Sequence, residues 1–285
     1  MAEDAAARRQ KTKRTGVRLG IGLVIVLAAA FAYSLLTGDD DSSDDTETAG
    51  TTTTGEGTTT TTAPGATTTI APGATPPFAY GTTACPPAQG TDEPTLDFEA
   101  SFQQCIDPAK SYTATFATSE GDVVVNLDTA RTPGTVNNFV SLARSLYYDG
   151  TELFRTDPSI GIIQGGSPHT NDASDPGPGY TIPDEGGPFD FTSGQGTGPF
   201  TYQPGQLVMA RGAGPNSGSA QFFLTADEAV SGLDSQGTYV VFGEVTEGLD
   251  VLEAILALHE PDPSSQLGGA PSQTVTVESV TITEG

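Results

Sequence analysis

From residue 110 onward, apolar and polar residues alternate in short runs, the pattern of antiparallel strands with one buried face. Two such runs, YTATFAT and DVVVNL, flank the turn at Glu120-Gly121 and predict a β-hairpin. The last run, TVTVESVTIT, is apolar at 275 and 277 and then at 280 and 282, which predicts a bulge near Glu278. Four further apolar runs are short and bounded by Gly- and Pro-rich loops, as in a barrel or sandwich: GIIQGG (161–166), QLVMAR (206–211), QFFLTA (221–226) and TYVVFGEV (238–245).

Two stretches carry helical spacing instead. In TPGTVNNFVSLARSLYYDG the pattern predicts Thr132 as the N-cap and Pro133 as the first helical residue. The apolar residues that follow at helical spacing are Val136, Phe139, Val140, Ala143 and Leu146. A second helix is predicted over 249–258 from Leu252, Ile255 and Leu256, and Pro261 would end it.

The amino-terminal end has the pattern of a membrane anchor. Residues 8–18 carry six cations, and residues 19–36 carry no charge. Eighteen helical residues cover ~27 Å, close to the ~30 Å hydrocarbon core. We predict a basic cytoplasmic segment at 1–18 and a transmembrane anchor at 19–37, with the amino end in the cytoplasm. The alternative is a cleavable signal peptide, because Ala30-Phe31-Ala32 resembles a cleavage site and the mature protein would then be secreted.

Residues 38–83 and 84–109 are predicted to form a linker and an extension. The linker is acidic and then Thr-rich, with repeated Pro and Gly, so it has too few apolar groups to offset the entropy of ordering and is predicted to be disordered. The extension contains the chain's two cysteines, Cys85 and Cys105. Because both membrane interpretations export this part, a disulfide is favoured, and two unpaired thiols are the alternative.

Cations are scarce beyond residue 18, where the chain has only Lys110, Arg131, Arg144, Arg155 and Arg211. The net charge of the whole chain is −25. This argues against a nucleic-acid partner, because phosphate binding needs a basic surface. An arginine retained in so acidic a chain invites a specific explanation. Arg155 is the most conspicuous, because it directly follows Leu153 and Phe154 and precedes the apolar strand IIQGG.

A series of motifs between residues 110 and 284 resembles the cyclophilin family of peptidyl-prolyl isomerases. In chain order they are TVNNFVSLARSLYYDG, LFR, IIQGG, PGYTIPDE, LVMA, AGPNSGSAQFFLT, LDSQGTYVVFGEV and TEGLDVLEAI. The resemblance implies that residues 110–285 form a mainly β domain, an eight-stranded antiparallel barrel capped by two α-helices. It implies a groove for proline-containing polypeptides on one outer face, and we expect a monomer.

The chemistry expected of such a groove needs a well-placed hydrogen-bond donor. Rotation about an X-Pro bond meets a barrier of ~18–20 kcal/mol because the nitrogen lone pair is delocalised. A donor that favours the twisted amide lowers this barrier, and a guanidinium stays protonated as charge localises on nitrogen. No nucleophile, metal or cofactor is needed. By the family match Arg155 is the catalytic arginine, and a surface salt bridge is the alternative.

The same match assigns the substrate-binding residues Gln164, Ala210, Gln221, Phe223 and Leu233. It implies that Gln164 holds the groove and bonds to the substrate backbone, while Phe223 supplies the floor of a proline pocket. The alternative is that Phe223 and Leu233 are ordinary core and that Gln221 is a barrel-capping amide.

Several positions depart from the family pattern. The segment from Arg155 to Gln164 is one residue longer, which places Ile160 and Ile162 where a Phe-Met pair is usual. Arg211 stands where an Asn is usual, and Tyr239 takes the place of the pocket His. Further departures are Phe154 where many members have His, an added residue at Gly212, and Gly232 in place of an aromatic residue. Because Ile162, Arg211 and Tyr239 alter the predicted pocket, a non-catalytic proline-peptide-binding module or chaperone on the same scaffold is the alternative function.

Other candidate chemistry is weaker. His169 and His259 are far apart in the sequence and are expected at the surface, so no metal site is predicted. The acidic segment 171–186 lacks EF-hand spacing and is expected to be a solvated loop. Ser217 and Ser219 have no placed general base, which leaves a hydrolase without support.

Overall fold

The structure, a computed structural model, describes residues 78–192 and 196–285 and two short paired strands, β1 (Thr59–Thr62) and β2 (Ala66–Thr69). The predicted anchor at 19–37 lies outside the described residues, as does most of the predicted linker at 38–83. Within the described part, no helix has the length and apolar composition needed to cross a membrane.

In the described part, eleven strands form one antiparallel sheet, in the order β11-β12-β6-β7-β9-β8-β10-β4-β3-β13-β5. Their bounds are β3 (Tyr112–Thr118), β4 (Gly121–Leu127), β5 (Thr151–Glu152), β6 (Arg155–Asp157), β7 (Ile162–Gly165), β8 (Gln206–Arg211), β9 (Gly218–Thr225), β10 (Val241–Glu247), β11 (His259–Pro261), β12 (Gly269–Pro271) and β13 (Thr276–Glu284). The predicted hairpin is β3–β4, and the predicted bulge is a register shift between Val277 and Ser279.

The predicted number of eight strands is wrong, because three very short strands are added at the ends of the sheet. One is β5, which has two residues and pairs with β13. The others are β11 and β12, three residues each, which form a hairpin that pairs with β6. Sequence patterns assign strands this short to loops, because two or three residues cannot establish a periodicity.

The sheet curls until its two ends approach each other. Strand β5 lies at one end of the sheet, and β6 lies two strands from the other end. Only Leu153 and Phe154 separate these two strands along the chain. Three peptide steps span at most ~11 Å, so the two ends must be close together. The architecture is therefore a mainly β, curled antiparallel sheet.

The core fills the inside of the curl and contacts the first helix. Along β3 and β4 every second residue is buried, as the alternation predicts. The rings of Phe116, Phe139 and Phe222, from three different elements, meet with centroids 5.4 to 6.3 Å apart. Edge-to-face and tilted contacts at these distances are the preferred arrangement of aromatic side chains.

Two α-helices occur among the described residues, α1 (Pro133–Arg144) and α2 (Leu249–Ala257). Every residue of α1 from Gly134 to Arg144 is buried, including the polar ones. The extension covers the outer side of the helix: Asn137 Oδ1 accepts hydrogen bonds from the backbone N–H groups of Cys105 and Ile106. Cys85 and Cys105 are joined in a disulfide, with Cα atoms 5.3 Å apart, and this bond closes the extension into a loop.

The start of α1 is capped from a distant loop. Thr132 and Pro133 occupy the predicted N-cap and first helical positions, but the Thr132 side chain makes no capping hydrogen bond. Instead the Glu185 carboxylate accepts from the backbone N–H groups of Gly134, at 3.2 Å, and of Thr135. Glu185 is buried, so the expectation that the whole segment 171–186 is solvated is wrong. An anionic acceptor at a helix amino terminus meets both the unbonded N–H groups and the helix dipole.

Removal of this cap should lower stability. Glu185→Ala leaves two N–H groups buried and unbonded, at roughly 1 to 3 kcal/mol each in the free energy of unfolding. Urea unfolding, followed by circular dichroism, measures the loss. The matched control is Glu253→Ala, which removes an exposed carboxylate from α2 and should change the midpoint little. Equal midpoints for the two variants would contradict the capping role.

Candidate active site

Strand register places the predicted site residues on one face of the sheet. Arg155 in β6 is directly opposite Gln164 in β7, and Gln164 is directly opposite Phe223 in β9. Directly paired residues project their side chains to the same face, as do residues two apart along a strand. Ile162 and Gln221 therefore share this face with the other three. Their neighbours Ile163 and Phe222 face the opposite way and are fully buried.

A chain of hydrogen bonds crosses three strands on this face. Arg155 Nη1 donates to Gln164 Oε1 at 2.8 Å. Gln164 Nε2 donates to Gln221 Oε1 at 2.8 Å. These bonds fix the Gln164 amide between its two neighbours. Gln221 is thus part of the same network as Arg155.

A cavity of about 230 Å³ lies against this network. Five predicted site residues line it together: Arg155, Gln164, Ala210, Arg211 and Gln221. The opposite wall comes from the segment between β7 and β8, including Asp175, Pro176 and Tyr180, and from Leu267 in the loop between β11 and β12. Polar groups and small side chains make up most of the lining.

The other four predicted site residues are buried and do not line this cavity. These are Ile162, Phe223, Leu233 and Tyr239. Phe223 has only 3% of its surface exposed, and the Tyr239 ring meets it edge-on, with centroids 5.4 Å apart. Leu233 closes a 3-10 helix (Glu228–Leu233) and is also buried. The floor that Phe223 was expected to supply to a proline pocket is therefore covered in this structure.

Arg211 lines the cavity, and its guanidinium is bonded to residues other than the partners of Arg155. Its Nη1 donates to Thr238 Oγ1 at 3.1 Å, and its Nη2 donates to the carbonyl of Gly214. The guanidinium also stacks over Phe191, 4.6 Å from the ring centroid. These contacts tie the loop after β8 to the segment before β10, which makes Arg211 a structural part of the cavity edge.

Arg155 is surrounded by acceptors. It is 4% exposed, so the alternative of a surface salt bridge is wrong. Besides Gln164, its guanidinium donates to Asp157 Oδ2, at 3.1 Å, and to the carbonyl of Leu267. Burial lowers the pKa of Arg155, and the neighbouring Asp157 acts in the opposite direction. A guanidinium remains protonated throughout the neutral range.

Sequence reasoning missed Asp157 and Leu267. Asp157 could have been found, because it lies two residues after Arg155 on a strand and must share its face. Leu267 could not, because it is 112 residues away and only the fold brings it near.

The expectation of surface histidines holds for His169, an exposed residue, whereas His259 is only partly exposed, with its Nδ1 2.9 Å from Thr156 Oγ1. The His169 side chain is 21% exposed and lies between two carboxylates. Its ring nitrogens are 3.2 Å from Asp97 and 3.2 Å from Asp175. Among the described residues, no group of three or more His, Cys, Asp or Glu side chains is arranged to hold a metal ion.

Comparison with known proteins gives the same family as the motifs. The family model described as cyclophilin type peptidyl-prolyl cis-trans isomerase/CLD matches residues 113–282. Peptidyl-prolyl cis-trans isomerase B of Bacillus subtilis is 40% identical over 118 residues, which are 41% of this chain and 71% of that protein. Peptidyl-prolyl cis-trans isomerase B of Escherichia coli is 32% identical over 175 residues, 60% of this chain and 99% of that protein.

A third relative, the probable peptidyl-prolyl cis-trans isomerase B of Mycobacterium tuberculosis, is 33% identical over 181 residues, 62% of this chain and 56% of that protein. Because the family model covers more than half of the chain, the protein belongs to the cyclophilin family of peptidyl-prolyl cis-trans isomerases. It is therefore an isomerase that accelerates rotation about X-Pro bonds.

Proposed function

We propose that X-Pro rotation takes place in the cavity beside Arg155, with Arg155 as the catalytic residue. The observation that carries this proposal is the buried guanidinium at the cavity wall, held by Gln164 on one side. Three of its five N–H groups are bonded within the protein, which leaves two for a substrate. A donor fixed in advance costs no reorganisation as the amide twists and charge localises on nitrogen.

The neighbouring side chains are proposed to hold the peptide. Gln164 and Gln221 are bonded to each other and offer further amide groups to the substrate backbone, and Ala210 leaves room for it. Phe223, Leu233 and Ile162 are proposed to contact the proline ring. Phe223 is covered, and the Tyr239 ring is in contact with it. A proline ring of the substrate can therefore reach Phe223 only if the covering side chains move. No proton is transferred and no covalent bond is made or broken, since the reaction is a rotation.

Replacement of Arg155 should abolish most of the activity. Arg155→Ala removes the donor to the twisted amide, and kcat/KM should fall by about 10² to 10³, the range for loss of one preorganised transition-state donor. A protease-coupled assay on a short X-Pro peptide measures it. Lys110→Ala is the control, since it removes an exposed cation paired with Glu284. If the Arg155→Ala variant binds the peptide and isomerises it as fast as the parent protein does, Arg155 is not the catalytic residue.

The alternative of a non-catalytic proline-peptide-binding module or chaperone on this scaffold is not favoured, because a covered Phe223 hinders binding of a proline ring as much as its isomerisation. Binding of the peptide by the parent protein with no rate enhancement in the same assay would contradict the isomerase.

We further propose that the isomerase domain acts outside the cytoplasm on exported or envelope proteins. Two features support this: a cationic segment followed by eighteen uncharged residues, and a disulfide in the extension. Disulfides persist in oxidising compartments and are rare in the cytosol. Uncatalysed X-Pro isomerisation takes tens to hundreds of seconds. Newly exported chains would stay incompletely folded for that time. An isomerase tethered next to the membrane would shorten this delay.

The location can be tested on the natural protein. We expect the mature protein to be found in the membrane fraction with residues 1–37 intact, because 19–36 are uncharged and long enough to span the bilayer. Amino-terminal sequencing after fractionation measures this. A mature protein that begins at Tyr33 would overturn the anchor and leave a secreted enzyme, and a cytosolic protein would overturn export altogether.

A further inference from the structure

Asp157 occupies a position set by the geometry of strand β6. It lies two residues beyond Arg155 and therefore on the same face, toward the cavity side of the sheet. Its Oδ2 accepts from Arg155 Nη2 at 3.1 Å. The pair is buried, with side-chain exposures of 5% for Arg155 and 12% for Asp157. An ion pair so enclosed restricts both partners far more than a surface pair does.

The Asp157 carboxylate is itself held in place. Its second oxygen, Oδ1, accepts from the Ser159 backbone N–H at 3.1 Å and from the Ser159 hydroxyl at 2.6 Å. Gly268 also packs against this side chain so closely that an added Cβ would lie 2.9 Å from the Asp157 carboxyl carbon. With Oδ1 bonded to Ser159, the carboxylate is held with Oδ2 toward Arg155.

Three acceptors together fix the plane of the Arg155 guanidinium. Gln164 bonds Nη1 from the neighbouring strand, Asp157 bonds Nη2 from the same strand, and Leu267 bonds Nε from the loop between β11 and β12. Because a guanidinium is planar and rigid, partners on three nitrogens leave it no rotation. The two unbonded N–H groups, one on each terminal nitrogen, then have fixed directions.

We propose that Asp157 is a positioning residue for isomerisation, acting through Arg155. It holds the guanidinium in its buried place and aims the free N–H groups at the substrate amide. This inference rests on the proposed role of Arg155. It does not require Asp157 to touch the peptide, and Asp157 is not among the residues that line the cavity.

The chain offers a matched control for this role. Asp172 makes the same turn as Asp157, with its Oδ1 accepting from the backbone N–H and the hydroxyl of Ser174. Asp172 is exposed and makes no salt bridge among the described residues. Asp172→Ala thus removes an Asp-x-Ser turn without removing an arginine partner.

The experiment measures kcat and KM of the full chain on an X-Pro peptide. Asp157→Ala should lower kcat by about 10- to 100-fold, the cost of a misaimed catalytic group, while KM changes little. Sodium formate should restore part of that kcat, because a small carboxylate fits the vacated place beside Arg155; sodium chloride at equal concentration should not. Asp157→Asn should also lose kcat, but with no response to formate, because the amide fills the site. Asp172→Ala should match the parent protein.

The outcomes separate the two proposals. If Arg155→Ala loses activity but Asp157→Ala keeps the parent kcat, the positioning role is wrong and the proposed function stands. If Arg155→Ala keeps full activity, the proposed role of Arg155 fails whatever Asp157 does. A kcat of Asp157→Ala that formate does not raise, together with a lower unfolding midpoint, would make Asp157 a structural residue and overturn the positioning role.

Discussion

A buried guanidinium is the constraint on which this site depends. A charge removed from water is tolerated only when it is paired and hydrogen-bonded. Arg155 meets this condition with three acceptors that come from its own strand, from the neighbouring strand and from a loop 112 residues away. The strand register, the turn after β6 and the loop between β11 and β12 must therefore all be formed before the arginine can sit where it does.

Hydrogen bonds also join the first helix to the cavity wall. Glu185 caps the start of α1, and the segment just before it, including Tyr180 and Thr181, lines the cavity. Tyr180 in turn donates a hydrogen bond to Asn138 of the helix, at 2.7 Å. The loop between β7 and β8 is thus held by a helix that is buried on all sides. A wall built on a loop gains rigidity when its ends are bonded to a packed element.

Much of the fold could be predicted because it rests on periodicity and turn chemistry. The β3–β4 hairpin, the bulge near Glu278 and the start of α1 at Pro133 all agree with the structure. The end of α1 does not: Leu146 was predicted to continue it, but the helix ends at Arg144 and Leu146 takes a left-handed conformation. The eight predicted strands became eleven because strands of two or three residues exist only through their pairing with a neighbour.

The sequence by itself determined the family, the alternation of apolar and polar residues within β3 and β4, and the choice of Arg155 as the candidate catalytic residue. Only the tertiary structure decided the register that sends Arg155, Gln164 and Phe223 to one face, and what those side chains contact. It brought Leu267 to Arg155, placed Glu185 on the amino terminus of α1, and laid Tyr239 against Phe223. The reason is that period and turn residues are local properties of a chain, whereas hydrogen-bond partners and burial are decided by which distant segments the curled sheet brings together.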